Sequence, residues 1–154
     1  MRYWLMKSEP GVFGIDDLER VGEEPWEGVR NYQARNMLRD EMHAGDLAFL
    51  YHSNCKVPGI AGIMRIVRGG YPDDTAWTPG HRYHDPRSTP ENPRWFRVDV
   101  AFQRRLERII PLSELKQAPE LSAMPLVRRG NRLSILPVTP GEWDFILSLE
   151  NPRD

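Results

Sequence analysis

An α+β fold, a barrel-like mixed sheet flanked by short helices, is what the sequence predicts. Strand-like segments outnumber long helical patterns and do not alternate with them, as a doubly wound fold would require. The 154 residues suit one hydrophobic core, since a single domain runs to roughly 100–200, and residues 1–154 are therefore expected to form one domain. A composition 40% hydrophobic and 28% charged places the chain with globular proteins rather than disordered ones.

Arg2 to Met6 reads as the first strand, with Tyr3, Trp4 and Leu5 supplying β-favouring bulk before Glu9-Pro10-Gly11 ends it. Ile15 to Val21 is expected to be a short helix. From Asn31 to Met42, Ala34, Met37, Leu38 and Met42 fall on one helical stripe while Arg35 and Arg39 share another face. Gly45-Asp46 then turns the chain into a strand from Leu47 to His52, paired with a second apolar run from Gly59 to Val67. Trp95 to Phe102 alternates with the period of two of a half-buried strand. Leu133 to Val138 is the last strand. Thr139 and Glu142 then form a capping box with Pro140 at the first helical position and Val138 stapled onto Trp143, which opens a C-terminal helix.

Five of the fourteen prolines lie between Tyr71 and Trp95, in a connection far longer than the usual ~4–6 residues. Trp77, Tyr83 and two histidines within it favour an ordered loop packed back on the barrel over a disordered one.

No stretch approaches the ~20 apolar residues of a membrane span, and the chain opens on Arg2 and a strand-like run without a signal-peptide pattern. The expected location is cytoplasmic: the cytosol if bacterial, the nucleus if eukaryotic. Cys55 is the single cysteine, so neither an internal disulfide nor a Cys-rich zinc site is available. A net charge of −1 argues against a protein that grips duplex DNA through many phosphate contacts. The charge is uneven, however: −4 over residues 1–50, +4 over 51–108 and −1 beyond. The middle of the chain is the cationic part.

The segment Trp26 to Asn36 is the most informative. A helix beginning near Asn31 turns unpaired N–H groups back toward Gly28 and Arg30, and with the Arg30 charge this is phosphate-site chemistry. The same residues also read as a plain helix cap at Asn31, a core anchor at Trp26 and a solvated Arg30. Tyr51-His52-Ser53, followed by Asn54 to Lys56 and then Pro58-Gly59, is dense in donors and acceptors suited to the polar edge of a planar ring, or is a hairpin loop satisfying itself. Cys55 with His52 invites a thiol nucleophile or half a metal site. Each needs further partners, and an inert cysteine is the simpler reading. The glycines of Gly59-Ile60-Ala61-Gly62 lack a Walker lysine and suit close backbone approach in a strand. Arg128 to Arg132 is a basic turn or a phosphate clamp.

Tyr3 to Pro10, Trp26 to Asn36, Tyr51-His52-Ser53 with Pro58-Gly59-Ile60, and Arg132-Leu133-Ser134 together resemble the EVE domain over nearly the whole chain. The resemblance implies a PUA-like fold, a mixed β-barrel related to YTH domains, in which a modified base leaves its stack for an aromatic-lined pocket. It further implies a reader of modified bases in DNA, with modified cytosine the expected base. Carried onto this chain, the pocket would comprise Lys7, Ser8, Trp26, Gly28, Val29, Arg30, Asn31, Tyr51, His52, Ser53, Pro58, Gly59 and Arg132. Trp26 would form one stacking wall and would cost less stability on truncation than a core tryptophan. The opposite wall is assigned to no residue.

Flipping a base costs a few kcal/mol and aromatic stacking returns ~1–3 kcal/mol per base, so a nearly neutral protein can work this way. No catalytic residue, metal or cofactor is expected, and a buffer anion is expected near Arg30 or Ser53. Two other functions remain open: an RNA-binding module, and a nucleotide-processing enzyme using Cys55 and His52.

Overall fold

Alternation along two neighbouring strands, β1 (Tyr3–Ser8) and β3 (Leu47–His52), decides which side of the sheet each residue serves. Trp4, Met6, Ala48 and Leu50 enter one apolar cluster, whereas Leu5, Phe49 and Tyr51 enter another on the opposite face. Because both faces are apolar, both must be covered. The first cluster is closed by Ile15 and Leu18 of α1 (Ile15–Val21) and Ala34 of α2 (Tyr32–Asn36). The second is closed by Leu115 of α3 (Leu112–Lys116) and by Trp143 and Ile146 of α4 (Pro140–Leu149).

The computed structural model describes residues 1–150. With β2 (Glu23–Pro25), β4 (Gly59–Pro72), β5 (Phe96–Pro111) and β6 (Ile135–Val138), its sheet has the order β2-β5-β4-β3-β1-β6. β1 and β3 run parallel and the other neighbours antiparallel. The expected α+β class and flanking helices are found, but the sheet does not close into a barrel. Its edges, β2 and β6, are only three and four residues long, and each pairs with a single neighbour. Separate helical layers on the two faces do the covering that closure would do.

Helix α1 spans Ile15–Val21 as expected, and the stripe Ala34, Met37, Leu38 and Met42 is buried. The helix from Tyr32 continues as a π turn over Met37–Glu41, and the Met42 N–H reaches back to the Met37 carbonyl at 2.9 Å. Buried Asp46 sets the entry to β3 by accepting hydrogen bonds from Trp4 Nε1, the Arg2 N–H and the His43 N–H, each at 3.0 Å.

Strand β5 runs nine residues beyond the expected Phe102: its second half stays on the ladder to β4, Leu106 and Ile110 are buried in the second cluster, and the arginines around them are met by acidic partners. Arg104 pairs with Glu150, Arg105 with Asp16 and Glu19, and Arg108 with Glu114. Register irregularities between β4 and β5 bend this long ribbon. The Tyr71–Trp95 connection is ordered, with a 3₁₀ turn at Asp74–Trp77.

The capping box of α4 is present, with the Thr139 hydroxyl accepting from the Glu142 N–H at 3.1 Å and the Glu142 carboxylate from the Thr139 N–H at 3.0 Å. The helix thereby places Trp143 against Phe49, ring centroids 3.9 Å apart, and Tyr3, 4.5 Å. Thr139→Ala is expected to lower stability by about 1 kcal/mol and Trp143→Ala by ~3–5 kcal/mol, measured by denaturant unfolding; the reverse order would show that the cap, and not the aromatic stack, holds α4.

Candidate functional site

Parallel pairing puts Lys7 beside Tyr51 and Ser8 beside His52, so the two chemistry-bearing strand ends meet. The Ser53 N–H continues the ladder to the Ser8 carbonyl at 2.9 Å, and the Lys7 N–H donates to the Ser134 carbonyl at 2.8 Å. A cavity of about 460 Å³ opens here, within the ~300–1,000 Å³ of ligand clefts. Lys7, Ser8, Ser53 and Ser134 contribute polar lining, while Phe13, Trp26 and Tyr83, with the His81 imidazole, supply aromatic rings. Burial pushes the Lys7 ammonium below its ordinary pKa.

Tyr83 comes from the proline-rich loop, and a buried carboxylate carries it there. Asp73, 0% exposed, accepts hydrogen bonds from the Gly28 N–H at 2.9 Å, Arg30 Nη1 at 3.0 Å and the Thr75 N–H at 3.0 Å. Burial alone would raise the Asp73 pKa; the bonds from Gly28, Thr75 and Arg30 outweigh it and hold the carboxyl below the ordinary range. Arg30 meanwhile grips the Tyr83 carbonyl through Nε and Nη2 at 3.2 and 2.7 Å. Gly28, at φ +84°, gives the Tyr83 ring room: a Cβ there would overlap it. At the end of the loop Trp95 is buried, its Nε1 donating to Asp85 at 2.7 Å and its ring stacked on Tyr32 at 4.8 Å.

Of the residues expected at the pocket, Lys7, Ser8, Trp26, Gly28, Val29, Arg30 and Ser53 line the cavity. Arg30 is no free anion site. Its remaining N–H groups donate to the Val29 carbonyl at 3.0 Å and the Thr75 hydroxyl at 3.3 Å, so all five guanidinium donors are engaged. Asn31 caps α2, its side chain accepting from the Ala34 N–H at 3.0 Å. The anion expected near Arg30 therefore has no vacant donors to meet there.

Tyr51 is buried in the cluster on the opposite face, where desolvation and then the charge of Cys55 push its hydroxyl up to about 12. His52 Nε2 accepts the Ile15 N–H at 3.1 Å, fastening α1 to β3, and burial lowers its pKa. Neither residue lines the cavity, because each points to a packed face of the sheet. Pro58 and Gly59 lie at the pairing with Pro111 and Leu112, where Gly59 abuts the Ile110 backbone. Arg132 is exposed two residues before Ser134, outside the lining.

Trp26 lines the cavity yet is only 7% exposed and belongs to the core cluster with Leu18, Ala34 and Val98. The expectation of a lightly packed tryptophan is thus corrected: it is wall and core anchor together, since it follows directly on edge strand β2 and its N–H is bonded to the Val98 carbonyl of β5 at 2.7 Å. Tyr83, Phe13, Glu24 and Ser134 were missed. Ser134 belongs to the quoted Arg132-Leu133-Ser134 motif and was within reach, whereas Tyr83 sits in a loop without periodicity.

Asp73→Asn is expected to lower stability at pH 7 and speed proteolytic cleavage within residues 74–95. A depressed carboxyl contributes stability that is complete above its unfolded pKa of ~3.9 and is lost as pH falls through the folded value. The gap between wild type and variant should therefore narrow below about pH 4; denaturant melts showing the same gap at pH 7 and in strong acid would remove the charge from this account.

The EVE domain family matches residues 2–149. The chain is 49% identical to human thymocyte nuclear protein 1, over 96% of this chain and 73% of that one. It is similar to a Pseudomonas syringae protein of known crystal structure, with a TM-score of 0.94 and 50% identity over 97% of this chain and 99% of that one. It is also similar to the human THYN1 protein crystallised in complex with 5-methylcytosine-containing DNA, with a TM-score of 0.89 and 48% identity over 100% of both chains.

Proposed function

The chain belongs to the EVE domain family, and from that premise we propose that it is a non-catalytic DNA-binding module that takes a modified base, above all a modified cytosine, into the cavity beside Trp26 and Tyr83. It acts as a single EVE domain over residues 1–154. The observation that carries this reading is the human homologue's complex with 5-methylcytosine-containing DNA, set beside a cavity with aromatic groups on three separate segments.

Trp26 and Tyr83 supply the stacking that offsets flipping, and Lys7, Ser8, Ser53 and Ser134 supply polar groups for the ring edge. Gly28, Val29 and Arg30 build the wall and hold the loop that covers it. Asn31 frames the wall from the start of α2, and Arg132, exposed near Ser134, flanks the mouth for a backbone phosphate. Tyr51, His52, Pro58 and Gly59 support the strand ends from behind. Against an enzyme stands His52: its Nε2 is an acceptor for the Ile15 N–H, so that nitrogen is not free to act as a base for Cys55.

The experiment is a binding screen at stated salt, using DNA and RNA oligonucleotides with and without 5-methylcytosine. Modified DNA is expected to bind best; a preference for ribose would instead favour an RNA-binding module. Trp26→Ala is a poor probe, because truncating a core tryptophan costs ~3–5 kcal/mol of stability. Tyr83→Ala leaves the backbone carbonyl that Arg30 grips, so it should melt almost normally while losing ~1–3 kcal/mol of binding, and Trp26→Phe should retain most affinity. Unchanged affinity in Tyr83→Ala would remove the aromatic cover from the proposed site.

A further inference from the structure

Three carboxylates, Glu9, Glu24 and Glu27, line the cavity. Two have partners: Glu27 pairs with Arg97 at 3.0 Å, and Glu9 accepts from Asn54 Nδ2 at 3.2 Å. Glu24 does not. Its backbone is fixed by pairing with Val100, but among the described residues no donor or cation reaches its side chain. Burial first, and then the charges of Glu27 and Asp17, push its carboxyl above the ordinary pKa. Glu24 and Trp26 are two residues apart along an extended segment, which turns both to the same side, and both line the cavity.

The Glu24 carboxylate faces the cavity with no protein donor engaged among the described residues, so its acceptor oxygens are available to a ligand that brings an N–H. Resting on the base-reading role of this cavity, we propose that Glu24 is the specificity residue that accepts a hydrogen bond from the exocyclic amine of the bound cytosine. The chemistry of the competing base gives this contact its value. Thymine carries the same ring methyl as 5-methylcytosine but presents a carbonyl oxygen where cytosine presents its amine. Facing Glu24, thymine would set acceptor against acceptor, so one side chain rewards the amine and repels the carbonyl. The methyl group alone cannot separate these two bases.

The test uses fluorescence anisotropy with oligonucleotides identical except at one position: 5-methylcytosine, thymine, or 5-methylpyrimidin-2-one, which lacks the amine. Wild type is expected to favour 5-methylcytosine over both others by about tenfold or more, the range of a hydrogen bond to a charged group. Glu24→Ala should bring both ratios close to one, and Glu24→Gln, which keeps a carbonyl acceptor, should retain most of the preference over the amine-free base. Thermal melts of both variants check folding, which the backbone pairing of β2 should preserve. Glu24→Ala with an undiminished preference would overturn the role of Glu24 while leaving the cavity as a base site. Wild type that fails to prefer 5-methylcytosine DNA over the other two would overturn base reading at this cavity, and the role of Glu24 with it.

Discussion

The cavity depends on one buried carboxylate. Asp73 lies 45 residues from Gly28 and 43 from Arg30, yet its two oxygens gather the backbone N–H of the first, the guanidinium of the second and the start of the 3₁₀ turn. An unpaired charge at this depth would be heavily penalised, so the partners are held together as a set or not at all. The proline-rich loop consequently has one docked position despite its length, with Tyr83 brought over the cavity. Arg30 is the structural link in this arrangement, joining Asp73 on one side to the Tyr83 carbonyl on the other.

The sheet supplies the second constraint. Parallel pairing of β1 with β3 brings Lys7, Ser8 and Ser53 to one edge, and the two apolar faces leave that edge as the place where polar groups can face a ligand. Residues one step earlier on β3 cannot serve: Tyr51 and His52 turn into packed surroundings, and the hydrogen bond from Ile15 makes His52 a fastener for α1. The pocket therefore takes its polar groups from strand ends and its aromatic groups from β2's exit and a remote loop. This division suits binding without covalent chemistry, because the polar lining is spread over several elements rather than gathered into a nucleophile and its base.

Much of this was legible in the sequence, for local reasons. Helix α1, strand β3, the apolar stripe of α2 and the capping box of α4 follow from short-range periodicity and hydrogen bonding, which a single segment encodes. Local chemistry alone singled out Gly28, Arg30 and Ser53, and the EVE resemblance added the pocket roles of Lys7, Ser8, Trp26 and Val29, which also line the cavity. Where the sequence misled, long-range partners were responsible: β5 extends through a charged run because β4 pairs along it and Leu106 and Ile110 are buried, while Asp16, Glu19, Glu114 and Glu150 meet its arginines. β2 was invisible because three residues carry no period.

By itself, then, the sequence determined the α+β class, the main elements and the motif-bearing strand ends, since these depend on neighbours a few residues apart. Only the tertiary structure decided that the sheet stays open, that Arg30 is bound to Asp73 rather than free for an anion, and that Tyr83 covers the cavity. It also decided that Trp26 serves wall and core at once and that Glu24 meets no partner among the described residues. Each of those outcomes turns on which distant group a charged or aromatic side chain meets, and such meetings are settled by packing and desolvation in the folded chain.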